Sequence, residues 1–150
     1  MKIAVSACLL GKNVRYDGSN KLNKQLLDIL KDHEVIEICP EIFSGFVIPH
    51  EPLEILNDEV YTKSNDNVTS KLINGSNLTF EKCKDADLFI LKSKSPSCGY
   101  QKIYDGTFTG KLIDGNGIFT SLVLKQNKKV FSEEDLDKII IYLEENDCNH

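Results

Sequence analysis

Three short apolar runs each lead into a cysteine, and that repeated arrangement constrains the fold more than any other feature of the chain. Ile3-Ala4-Val5 runs into Ser6-Ala7-Cys8, and Val35-Ile36-Glu37-Ile38 runs into Cys39-Pro40-Glu41. Leu88-Phe89-Ile90-Leu91 runs into Lys92-Ser93-Lys94-Ser95-Pro96-Ser97-Cys98-Gly99. Apolar runs this short, rich in β-branched residues, read as buried strands. Helix-period segments separate them. Asn20 is placed to cap a helix carrying Leu22, Leu26, Leu27, Ile29 and Leu30 and ending near Asp32. Val68, Leu72, Ile73, Leu78, Phe80 and Cys83 predict helical segments between 67 and 84, with Gly75-Ser76 weakening the middle. Ile118 to Gln126 reads as a helix and Lys129-Val130-Phe131 as a short strand. Ser132 then caps a final helix with an acidic first turn, Glu133-Glu134-Asp135, and a buried stripe of Leu136, Ile139, Ile140 and Leu143.

Strands alternating with helices predict an α/β fold over residues 1–150. It is a single compact domain, a mainly parallel central sheet flanked by helices on both faces in a Rossmann-like three-layer sandwich. In such sheets ligands sit beyond the carboxyl ends of the strands, where the strand order reverses. Cys8, Cys39 and Cys98 each fall at or just past such an end, so neighbouring strands would bring three sulfurs together. Among the remaining segments, Asp17-Gly18 marks a turn in the first loop. Ile42 to Leu56, broken by Gly45, Pro49 and Pro52, reads as a loop with one short element, and Asp58 to Lys63 as a minor edge strand. Gly99 to Gly117 holds five of the nine glycines and reads as a long functional loop.

Composition narrows the function. A net charge of −5 with a single arginine, Arg15, argues against a phosphate-backbone binder, so no nucleic acid partner is expected. No apolar run approaches a membrane span, and the first run is too short for a signal peptide, so a cytoplasmic protein is expected. Five cysteines are an odd count for a disulfide framework and point to metal ligands, a reactive thiol or inert buried thiols. Cys83, inside an apolar helical pattern, and Cys148, in a polar tail, read as structural or inert. His33, His50 and His150 are lone residues and read as solvated. Structural zinc wants four ligands, often in close pairs. Three thiolates with one vacancy suit a [4Fe–4S] cluster with an open iron, or a thiol redox site, and spacing leaves both open.

Taken in order, Ser6-Ala7-Cys8-Leu9-Leu10-Gly11, Arg15-Tyr16-Asp17-Gly18, Cys39-Pro40-Glu41 and Lys92 through Gly99 resemble the signatures of one bacterial family. Ile103-Tyr104-Asp105-Gly106-Thr107-Phe108 and Val130-Phe131-Ser132-Glu133 extend the resemblance over nearly the whole chain. The family is the "domain of unknown function 523" group. Its members related to thiouracil desulfidase carry a three-cysteine [4Fe–4S] cluster and remove sulfur from thiolated nucleobases. The resemblance implies a desulfidase of this kind, with Cys8, Cys39 and Cys98 as cluster ligands and a thiolated pyrimidine or similar small molecule as substrate. A monomer and a homodimer are both compatible with it. The chain departs from the usual family pattern between Ile42 and His50 and in the polar middle of the helix before Leu88.

Exchanging C=S for C=O is hydrolysis and needs no net redox. The open iron is expected to act as a Lewis acid on the sulfur and to accept it. Glu41, held by Pro40 two residues past a ligand, is the expected general base, its alternative being a cap on local backbone. Ser95 is the second catalytic candidate, while Ser97, Lys94 and Tyr16 are expected to touch the substrate. For the serines the alternative is a bond to their own turn. Lys92 and Lys94 are placed to offset the negative charge of a cluster. Two rival readings stand beside the enzyme: an iron–sulfur sensor or scaffold without catalysis, and a metal-free thiol redox module.

Overall fold

In a computed structural model, which describes residues 1–147, the chain begins with β1 (Lys2–Ser6), a 3-10 turn (Ala7–Leu10) and α1 (Lys24–Leu30). It continues through β2 (Glu34–Ile38), α2 (Pro40–Phe43), β3 (Leu53–Leu56), β4 (Glu59–Thr62) and α3 (Thr69–Cys83). There follow β5 (Leu88–Leu91), β6 (Lys102–Tyr104), β7 (Leu112–Asp114), α4 (Ile118–Lys125), β8 (Lys129–Ser132) and α5 (Leu136–Asp147). The three cysteine-bearing runs are β1, β2 and β5. With β8 they form a four-stranded sheet in the order β2-β1-β5-β8, every neighbouring pair parallel.

The side-chain alternation of the strands explains the layers. Ile3 and Val5 of β1, with Leu88 and Ile90 of β5, pack against Leu26 and Leu30 of α1 and Ile139 and Leu143 of α5. Ala4, Phe89 and Leu91 turn to the opposite face and meet Cys83 of α3 and Phe119 and Val123 of α4. Both faces of the sheet are covered, which is why β5 is apolar at every position rather than alternating. The expected three-layer sandwich is the fold observed. The chain leaves β1 for β2 on one side and returns to β5 on the other, so the strand order reverses at β1. Among the described residues no helix is long and apolar enough to cross a membrane.

Several local expectations need correction. The first helix is capped by Asn23, whose side-chain oxygen accepts the Leu26 N–H at 3.0 Å, and it ends at Leu30. Asn20 spends its side chain on the Leu22 N–H and on Asn13 instead. The Ile42–Leu56 stretch holds more than one element, since α2 reaches Phe43 and β3 pairs antiparallel with β4 through a turn at Asn57-Asp58. Both turn residues have positive φ, the backbone a two-residue hairpin requires. Gly99–Gly117 is no bare loop, because β6 and β7 pair within it and bury Ile103. These two hairpins share a small core with α3, in which Leu53, Val60 and Ile103 surround Leu72.

The 67–84 region is one unbroken helix despite Gly75-Ser76. A Cβ on Gly75 would lie 1.9 Å from the Ser44 hydroxyl and 2.4 Å from the Ser44 Cα, so the glycine is where α2 crosses α3. Gly75→Ala is therefore expected to destabilise the protein, although alanine gains about 1 kcal/mol in helix propensity. A urea or thermal unfolding series checks the sign. A more stable variant would show that Ser44 can move away without cost.

Candidate active site

The carboxyl edge of the sheet opens into a pocket of about 520 Å³ in which Cys8, Cys39 and Cys98 all line the wall. Each sulfur is delivered by a different local device. Cys8 sits in the 3-10 turn directly after β1, and its carbonyl accepts the N–H groups of Gly11 and Lys21, folding the first loop back over the strand end. Cys39 is the N-cap of α2, with Pro40 in the first helical position, where a missing N–H is no loss. Cys98 ends the loop after β5. That loop is held against α4: Ile118 donates its N–H to the Pro96 carbonyl, and Phe119 and Thr120 donate theirs to the Ser97 carbonyl. The exposed donors of a helix start thus become the clamp for the third cysteine. The approach requires Gly117, where a Cβ would fall 2.4 Å from the Ser97 carbonyl oxygen.

Burial pushes all three thiols up. Cys8 rises to about 11, opposed chiefly by the Lys92 ammonium, and Cys39 is raised by burial against the helix-start N–H groups. Cys98, 4% exposed, is raised furthest. Hydrogen bonds from the Ser6 and Ser97 hydroxyls pull it the other way, while the neighbouring Cys39 and Cys8 add to the rise. All three line the same pocket. Cys83 lies elsewhere, in the last turn of α3 with its thiol on the Thr79 carbonyl, and burial raises it to about 12. Its inert reading matches that position, whereas Cys148 lies outside the described residues.

Glu41 stands in the first turn of α2 with its side chain 15% exposed. Burial raises its carboxyl above the ordinary range, against the pull of His50, the Ser97 hydroxyl and Arg15. Ser97 donates to Glu41 Oε2 at 3.4 Å and meets the Ser95 hydroxyl at 2.9 Å. Ser95 Oγ also accepts the N–H groups of Ser97 and Cys98, so it shapes the cysteine loop as well as facing the pocket. Tyr16 and Lys94 line the same pocket, Lys94 with a positive φ of 66°. Lys92 is tied to the Ser93 carbonyl at 2.9 Å and lies 3.5 Å from Glu133, whose carboxylate accepts the Ser93 N–H and hydroxyl.

His50 does not behave as expected of a lone solvated residue. Its side chain is 9% exposed, and Nε2 lies 3.6 Å from Glu41 Oε1. Lys21 and Lys63 also line the pocket, and their sequence neighbourhoods give no hint of it. The β6–β7 segment supplies Tyr104, Phe108 and Gly110, so the stretch expected as a functional loop does reach the site, as a hairpin. Glu54 fixes it there by accepting the N–H groups of Gly106 and Phe108 at 3.0 and 3.1 Å.

The sequence profile of the 2-thiouracil desulfurase family matches residues 3–135. The chain belongs to that family. A solved structure of a [4Fe-4S]-dependent thiouracil desulfidase, TudS (DUF523), is similar at 37% identity and a TM-score of 0.88, with 95% of this chain and 97% of that one covered. An uncharacterized protein of Bacillus subtilis (strain 168), YbbK, is 35% identical over 92% of this chain and 99% of its own length. The family resemblance read from the ordered motifs is therefore correct, and it extends to the whole fold.

Proposed function

We propose that this member of the 2-thiouracil desulfurase family is a [4Fe–4S]-dependent desulfidase that hydrolyses the C=S bond of a thiolated pyrimidine. Cys8, Cys39 and Cys98 would hold the cluster. The observation that carries the reading is the meeting of three thiols from three separate strand ends in one pocket with a buried carboxylate. The donor set fits: three soft thiols, with no other cysteine and no histidine among the described residues lining the pocket.

When bound, the cluster held by Cys8, Cys39 and Cys98 would supply Lewis-acid chemistry toward the substrate sulfur. The chain's own residues do the rest. Glu41 takes a proton from water as its oxygen bonds to the thiocarbonyl carbon. The C–S bond then breaks, C=O forms, and sulfur leaves as hydrosulfide with no change in oxidation state. Ser97 holds one Glu41 oxygen, and Ser95 holds Ser97 and the N–H of Cys98. Ser95 therefore sits where it can pass a proton toward the leaving sulfur. Tyr16 offers a ring face to the pyrimidine, and Ser97 and Lys94 offer polar groups to its edge.

A general base works only when ionised, and Glu41 is raised. The acid limb of kcat/KM is therefore expected above the ordinary carboxylate range, with activity lost as pH falls through it. Substituting Glu41 by Gln should remove that limb from the residual rate. An acid limb unchanged in the variant would belong to another group.

The deciding experiment is anaerobic reconstitution with iron and sulfide, followed by incubation with 2- and 4-thiouracil and a hydrosulfide assay. Bound cluster with hydrosulfide release supports the desulfidase. Cluster without release from either base favours the sensor or scaffold.

A further inference from the structure

We propose that His50 is a positioning residue for Glu41: a buried imidazole whose Nε2 faces one carboxylate oxygen while Ser97 holds the other. The inference rests on Glu41 being the general base.

The geometry is specific at both ring nitrogens. Nδ1 lies 2.6 Å from the Glu51 carbonyl oxygen, an acceptor only, so Nδ1 must be the donor. Nε2 is buried without a hydrogen bond of its own, and Glu41 Oε1 stands 3.6 Å away. An imidazole nitrogen and a carboxylate oxygen that face each other out of water make a polar contact that fixes how each is turned. At 3.6 Å it is longer than a closed hydrogen bond, as catalytic contacts often are before substrate binds.

The ring is not free to swing away. Phe46 packs on it with centroids 5.0 Å apart, and Tyr16 lies 6.3 Å off on a tilted plane. The His50 backbone N–H donates to the Tyr16 carbonyl at 2.7 Å, which ties the segment to the first loop. Glu41 is thus held from both sides, His50 on Oε1 and Ser97 on Oε2. The carboxylate reaches the pocket in one fixed orientation rather than as a rotor, which is what alignment with an attacking water demands.

Three variants of the reconstituted holoenzyme test this. His50→Ala should lower kcat about 10- to 100-fold, the usual effect of deleting a partner that orients a working side chain. KM, iron and sulfide content and the visible spectrum should stay as in the wild type. His50→Gln carries an amide N–H to roughly the Nε2 position and should restore most of the lost turnover. His50→Phe keeps the aromatic packing without the nitrogen and should resemble His50→Ala. Wild-type kcat in His50→Ala or His50→Phe overturns the proposal. So does a His50→Gln enzyme as slow as His50→Phe at equal iron content, and this comparison decides even if the alanine variant unfolds. A fully active Glu41→Gln enzyme also removes it, but with His50 intact, which identifies the base assignment as the failed step.

Discussion

Serine at position 8, 39 or 98 is expected to bring hydrosulfide release down to the uncatalysed background. A hydroxyl is a harder and far less acidic donor than a thiol, and soft thiolates are what select iron–sulfur clusters. Among the described residues no fourth cysteine and no histidine lines the pocket to substitute. The loss should therefore be complete at each of the three sites. Folding should survive, because the loops are held by backbone bonds to Gly11 and Lys21, within α2, and from the start of α4. Cys83→Ser is the control: its thiol bonds only to the Thr79 carbonyl one helical turn back, so colour and turnover should persist. Iron analysis and a hydrosulfide assay on the four variants separate these outcomes. Turnover surviving in any one of the three would remove that cysteine from the site.

Glu41→Gln is expected to retain the cluster and lose turnover by about 10²- to 10⁴-fold, the range for removing a general base. The amide is isosteric, so Ser97 and His50 still meet a polar group, and Cys39 keeps its position at the start of α2. What disappears is the basic oxygen. The visible spectrum should match the wild type at equal iron content, while kcat falls and KM moves little. A wild-type kcat would assign proton abstraction to a different group.

Much of this was legible in the residues themselves. The parallel sheet follows from three apolar runs separated by helix-period segments, and strand polarity puts Cys8, Cys39 and Cys98 at one edge once the three strands are neighbours. Other features depend on distant contacts. Gly75 reads as a weak point because propensity knows nothing of Ser44, which crosses there. His50 reads as solvated because nothing local announces that Phe46 and Tyr16 will enclose it. β3 is obscured by Glu54, a carboxylate in an apolar run that serves to anchor the Gly106 and Phe108 N–H groups. Asn57-Asp58 was the available clue to that hairpin, since both residues tolerate positive φ. In the same way Ile103 and Ile113, paired across β6 and β7, lay hidden among glycines.

The most direct test is the iron and acid-labile sulfide bound per chain after anaerobic reconstitution, measured on the wild type beside the three single cysteine variants. The expected result is the four irons and four sulfides of one [4Fe–4S] cluster in the wild type, and none retained once any of the three thiols is gone. A wild-type chain that binds no iron, or a Cys8→Ser, Cys39→Ser or Cys98→Ser chain that keeps a full complement, would contradict it.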